Sequence, residues 1–145
     1  MTEVASPLNL EQARALLDAP GSPYATIQAV IHGVDHTVFL HAPQNLAALY
    51  AASHRHDKRV MLVYEDERIS FEASFRATAA LAVELQRLGI GKGDRVALAM
   101  VNLPEWPVIF FAATALGAII VPLNAWWTGA ELEYGLADSG AKLLV

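Results

Sequence analysis

Cysteine is absent from this 145-residue sequence, so disulfides, thiolate metal sites and a cysteine nucleophile are excluded within it. Positive charge is scarce and dispersed. Ten Lys and Arg stand against fifteen Asp and Glu, for a net charge of -5, and the basic residues run from Arg14 to Lys142 without forming a block. A nucleic-acid face needs clustered cations, so no nucleic-acid partner is expected. Long apolar runs are missing too. Trp106 to Ala130 carries no charge, yet Pro107 and Pro122 leave only Val108 to Val121 between them and Gly117 interrupts that stretch; a bilayer crossing needs about 20 residues, so no membrane span is expected. The opening Met1-Thr2-Glu3-Val4-Ala5-Ser6-Pro7 places an acid where a secretory leader carries positive charge, and the expected location is cytoplasmic. What is abundant is apolar content, 54% of the chain, enough for a domain with a real core.

Punctuation divides the chain into an irregular part, residues 1–59, and an α/β part, residues 60–145. In the first, Asn9 and Gln12 are placed as a capping box for a short helix through Leu17 that Pro20-Gly21-Ser22-Pro23 ends. Ala25 to Ile31 and Thr37 to Leu40 flank Gly33-Val34-Asp35 as a hairpin, and Asn45 precedes a helix with Leu46, Leu49 and Tyr50 as its apolar stripe. Ser53 to Arg59 is a charged connector. Beyond it, Val60 to Tyr64 and Arg68 to Ser70 form a second hairpin around Glu65-Asp66-Glu67. Ser70 caps a helix with Phe71, Phe75, Ala82 and Leu85 on one stripe and Glu72 paired with Arg76 on another face. Arg95 to Met100 is a strand, a helix runs from Asn102-Pro107 to about Leu116, Ala118 to Val121 is a strand, Thr128 and Glu131 cap a helix to Asp138, and Ala141 to Val145 is a last strand. Strands alternating with helices predict right-handed crossovers and a parallel sheet. The closing strand has nothing after it, and the chain is expected to be the front piece of a larger protein.

Four patterns are candidates for chemistry. Gly89-Ile90-Gly91-Lys92-Gly93-Asp94 looks like a phosphate loop, but Asp94 stands where a dinucleotide fingerprint has its third Gly and Gly93 where a Walker loop has Ser or Thr. It also follows a helix end, where the dipole repels anions, so a C-cap and turn is expected. His32, Asp35, His36, His41, His54 and His56 include metal-ligand residue types, with solvated hairpin histidines as the competing reading. The serines at 6, 22, 53, 70, 74 and 139 offer no Gly-x-Ser-x-Gly elbow, and Glu65-Asp66-Glu67 reads as a solvated turn. Trp126 and Trp127 follow Pro122-Leu123-Asn124 just beyond a parallel strand's carboxyl end, where such sheets bind ligands; packing is the other reading. No catalytic residue and no metal ligand is assigned, and cofactor-binding residues stay open.

Arg68-Ile69-Ser70-Phe71, Leu88-Gly89-Ile90-Gly91-Lys92-Gly93-Asp94-Arg95-Val96-Ala97, Asn102-Leu103-Pro104-Glu105-Trp106, Leu116 to Asn124 and Glu131 to Lys142 together resemble, in order, the early motifs of adenylate-forming enzymes. Within that family the Asn124-Ala125-Trp126-Trp127-Thr128-Gly129-Ala130-Glu131-Leu132 run looks most like acyl-CoA synthetases, fatty-acid-CoA ligases among them. The resemblance implies the N-terminal part of the large domain of the acyl-CoA synthetase-like fold. It also implies an enzyme that uses ATP, Mg²⁺ and CoA to activate a carboxylic acid, and a homodimer. The family's Ser/Thr/Gly-rich phosphate loop and its C-terminal catalytic Lys come later in the family's order, so the 145 residues alone are expected to be inactive and to bind none of these cofactors. The alternatives are an adenylation enzyme with another acceptor, and a non-enzymatic Rossmann-like binding or dimerisation module.

Overall fold

In the first of two compact units, which ends at Pro43, the capping box forms as the sequence predicts. The computed structural model describes residues 7–145, and helix α1 (Leu10–Leu17) begins with Asn9 Oδ1 accepting from the Gln12 N–H while Gln12 Oε1 accepts from the Asn9 N–H, at 2.9 and 3.0 Å. Strands β1 (Thr26–Ile31) and β2 (Val34–Phe39) pair antiparallel with Ile31 opposite Val34. The reversal is therefore tighter than the expected Gly33-Val34-Asp35. His32 and Gly33 alone make it, both with positive φ of 51° and 81°, the geometry that suits the twist of a two-residue hairpin.

The second unit, Gln44–Val145, takes in the helix and connector that the sequence pattern groups with the N-terminal part. Helix α2 (Leu46–Ser53) is capped by the Asn45 side chain, but its expected stripe is only partly used: Tyr50 is buried while Leu46 and Leu49 stay exposed. Tyr50 holds the helix in place. Its ring stacks on Phe111 at 4.0 Å and Phe75 at 5.4 Å, and its hydroxyl lies 3.1 Å from Ser74 Oγ and 3.0 Å from Thr78 Oγ1. A 3-10 turn (His54–His56) leads to the hairpin of β3 (Val60–Tyr64) and β4 (Glu67–Ser70).

Helix α3 (Phe71–Arg87) starts on the Ser70 side chain, which accepts from the Ala73 N–H. Its buried residues are Ser74, Thr78 and Leu85, so part of the inward face is polar, satisfied by the Tyr50 hydroxyl. The expected Glu72–Arg76 pair does not form. The ion pairs among the described residues are Arg87 with Glu84 at 2.8 Å and Lys142 with Asp94 at 3.1 Å; an exposed i,i+4 pair is worth only a few tenths of a kcal/mol and does not hold two long side chains against their entropy.

Strands β5 (Arg95–Leu98), β6 (Ile119–Pro122) and β7 (Leu143–Leu144) form the parallel sheet in the order β6-β5-β7, with helix α4 (Glu105–Ala115) between β5 and β6 and helix α5 (Gly129–Ser139) between β6 and β7. Val96, Ala97 and Leu98 of the central strand have no accessible surface, as a strand covered on both faces requires. Helix α4 starts at Glu105, later than the expected Asn102, because Leu103 and Trp106 donate to the Val101 and Leu103 carbonyls in a turn ahead of it. Pro107 fits in the first helical turn, where its missing N–H has no intrahelical partner to lose. Leu85, Ile90, Val96, Ala112, Ala113 and Ala118 pack into one core shared by α3, α4 and the sheet. Among the described residues no helix is long and apolar enough to cross a membrane.

Candidate functional site

Because β6 and β7 lie on opposite sides of β5, the chain switches direction at the central strand, and in such sheets a crevice opens beyond the strands' carboxyl ends. It does so here. Met100, Val101 and Asn102 leave β5, Leu123, Asn124, Ala125 and Trp126 leave β6, and Trp106 enters from α4; together they line a cleft of about 470 Å³. The β6 loop is held by one residue: Asn124 accepts from the Trp126 N–H through its side chain at 3.0 Å and from the Trp127 N–H through its backbone carbonyl at 3.1 Å. Thr128 then starts α5 with the expected capping box. Its reciprocal bonds hold the Glu131 carboxyl below its ordinary range.

The two tryptophans part company. Trp127 turns back onto α5, where a Cβ on Gly135 would stand 3.0 Å from the indole and 3.3 Å from Leu123; a glycine there admits the ring, which is the packing reading. Trp126 remains 84% exposed on the crevice wall, which is the ligand-side reading.

The other candidates resolve into structural roles. Gly89 has φ +80° and follows α3, and three amides of its loop are engaged: Ile90 N–H donates to Leu85, Gly91 N–H to the Asp94 carboxylate at 2.8 Å, and Gly93 N–H to Gly117. Lys142 closes the loop by donating to the Gly89 carbonyl and to Asp94. The Gly91 amide first, and then Lys142, hold the Asp94 carboxyl below its usual range. Gly89→Ala is expected to cost about 1 kcal/mol or more, because nothing crowds a Cβ there but the backbone is left-handed. Lys92→Ala should stay within about 0.5 kcal/mol of the parent chain and leave nucleotide affinity of the whole enzyme unchanged. Urea denaturation and nucleotide titration would check the pair; a loss of ATP affinity in Lys92→Ala at unchanged stability would make the loop a phosphate site.

His32 sits in the hairpin turn, His36 in β2 opposite Ala29, and His41 beyond β2. His54 and His56 lie against Phe75 and Phe71. Among the described residues no group of three His, Asp or Glu is placed to hold a metal ion. Ser22, Ser53, Ser70 and Ser139 bond nearby backbone, Ser74 bonds Tyr50, and Ser6 lies outside the described residues. Glu65, with φ 47°, and Asp66 form the β3–β4 turn, and Arg68 donates to the Glu65 and Glu67 carbonyls.

Sequence reasoning pointed at Trp126 but not at Trp106, Asn102 or Asn124 as its neighbours. Their shared signal is position, each just past the end of a strand or at the start of the helix that follows.

Residues 49–145 match the pattern of the AMP-binding enzyme family, described as "AMP-binding enzyme". The chain belongs to this family. Similar curated proteins include a long-chain-fatty-acid-CoA ligase of Salmonella typhimurium, 38% identical over 104 residues that make up 70% of this chain and 18% of the relative. FadD13 of Mycobacterium tuberculosis, also a long-chain-fatty-acid-CoA ligase, is 39% identical over 80 residues, 55% of this chain and 16% of its own length. Among solved structures, the N-terminal subdomain of Klebsiella oxytoca NpsA in complex with 3-hydroxyanthranilyl-AMSN superposes with a TM-score of 0.66 at 28% identity, covering 69% of this chain and 26% of that one. The O-succinylbenzoate coenzyme A synthetase MenE of Bacillus subtilis, in complex with AMP, gives 0.64 at 28% identity over 70% and 26%. The chain thus spans less than a fifth of the length of these curated relatives, and its α/β fold is that of N-terminal subdomains of adenylate-forming enzymes.

The crevice does not fit a triphosphate or Mg²⁺. Its lining carries two carboxamides and two indoles but no Lys, Arg, Asp or Glu, so it offers neither counter-charge to a triphosphate nor carboxylates to Mg²⁺.

Proposed function

We propose that these residues are part of an ATP-dependent acyl-CoA synthetase that activates a carboxylic acid, a fatty acid or a related one, and passes it to CoA. In that reaction a carboxylate oxygen attacks the α-phosphorus of ATP, pyrophosphate leaves, and the CoA thiol then displaces AMP from the acyl-adenylate. The observation that supports this reading is the family match over residues 49–145, which takes in every strand of the parallel sheet.

The 145 residues alone do not carry the reaction in this proposal. Adenylation needs phosphate clamping by free amides and cations aimed at developing charge, and in the Gly89–Asp94 loop the Ile90, Gly91 and Gly93 amides already donate to Leu85, Asp94 and Gly117. ATP-pyrophosphate exchange with a panel of fatty and aryl acids tests this. The purified chain is expected to remain at background, whereas exchange clearly above it would refute the inactivity. In the whole enzyme, a preference for aryl acids with a carrier-protein acceptor would replace the CoA reading.

The proposal includes self-association. The outer strands β6 and β7 leave Ile119 51% and Leu144 46% exposed, and unpaired strand edges invite a second chain. Sedimentation over a range of concentrations is expected to show a dimer; a strictly monomeric species at high concentration would overturn that part.

A further inference from the structure

Beyond the ligase reading, and independently of it, we infer that the crevice at the carboxyl ends of β5 and β6 binds an uncharged planar ring that carries a hydrogen-bond acceptor. Its volume of about 470 Å³ lies within the ordinary range of small-molecule sites, about 300–1,000 Å³. Trp126 presents 84% of its surface to solvent at the rim, so its indole face is open to a stacking partner. The exposure is not slack in the loop, since Asn124 holds the Trp126 and Trp127 amides at 3.0 and 3.1 Å. On the other wall Trp106 is stacked on Phe110 at 5.5 Å, which restricts its ring. Two positioned indoles favour a flat partner with a π face.

The polar groups select further. Asn124 Oδ1 already accepts from the Trp126 N–H, so what this side chain has left for a ligand is chiefly its NH₂ donor, which calls for an acceptor such as a carbonyl or ring nitrogen. The absence of charged side chains in the lining selects against an ionised ligand, which would give up hydration without a counter-charge.

The test titrates the ¹⁵N-labelled 145-residue chain, without ATP or CoA, with three probes. Nicotinamide is planar, neutral and carries an acceptor; cyclohexanecarboxamide keeps the carboxamide but not the flat ring; benzoate keeps the ring but adds a charge. Nicotinamide is expected to shift the indole N–H signals of Trp106 and Trp126 and the Asn124 side-chain amide in a saturable way, with the other two probes binding about tenfold more weakly or worse. Trp126→Ala should weaken nicotinamide by about tenfold, and Trp126→Phe should keep most of the affinity. Because Trp126 is exposed, both variants retain the parent's dispersed spectrum. No saturable shift, equal binding by the three probes, shifts centred elsewhere, or unchanged affinity in Trp126→Ala would each overturn the inference. None of these outcomes bears on pyrophosphate exchange by the whole enzyme, so the two readings fail separately.

Discussion

Tyr50→Ala is expected to destabilise the second unit by about 3–5 kcal/mol, one of the two largest single-residue losses foreseen. Tyr50 is 6% exposed and ties three helices together, stacking on Phe75 of α3 and Phe111 of α4 from its place in α2. Truncation opens a cavity between the two phenylalanines. It also strands the hydroxyls of Ser74 and Thr78, which are 0% and 4% exposed; a buried hydroxyl without a partner costs about 1–3 kcal/mol. Tyr50→Phe separates the two causes, since it keeps the stacking and loses only the hydroxyl bonds, and its expected cost is about 1–3 kcal/mol. Urea denaturation followed by circular dichroism reads both. A Tyr50→Ala cost below about 1 kcal/mol would mean that α2 is not held by this residue.

Leu85→Ala should cost about 2–5 kcal/mol. Leu85 is 2% exposed and is among the largest fully buried side chains, packed with Ile90, Val96, Ala112, Ala113 and Ala118. Three of these neighbours are alanines on α4 and beside β6, too small to reach into the space that a missing isobutyl group leaves. Collapse is therefore limited and the cavity term stays large. Leu85→Met keeps the volume and should cost less than about 1.5 kcal/mol. Equal losses for the two variants in the same denaturation series would show that shape, not volume, governs the site.

The elements whose signals are local were legible. Asn9 with Gln12, Ser70 and Thr128 with Glu131 each announce a helix start, and each side chain caps its helix in the structure. Gly89 announces a helix end, and it has positive φ. Arg95 to Met100 reads as a strand, and one forms over Arg95–Leu98, with Val96, Ala97 and Leu98 wholly buried. Signals that depend on distant partners were less legible. Ser74 and Thr78 look like surface residues in a helical pattern, and only the Tyr50 hydroxyl, 24 and 28 positions away, makes burying them affordable. Leu46 and Leu49 follow the apolar period of α2 yet stay exposed, because one aromatic ring anchors that helix.

The amino-acid sequence by itself determined the α/β class, the succession of helices and strands, the caps and turns, and the resemblance to adenylate-forming enzymes. All of these rest on interactions within a few residues or on ordered motifs along the chain. Only the tertiary structure decided that β7 joins β5 on the side away from β6, that Lys142 reaches across 48 positions to Asp94, and that Trp127 packs on Gly135 while Trp126 lines the crevice with Trp106 and Asn102. The physical reason is common to these cases. Backbone dihedrals and capping bonds are specified by neighbours in sequence, whereas strand order and the shape of a crevice depend on which apolar surfaces exclude water together, and no short window of the chain contains both sides of that contact.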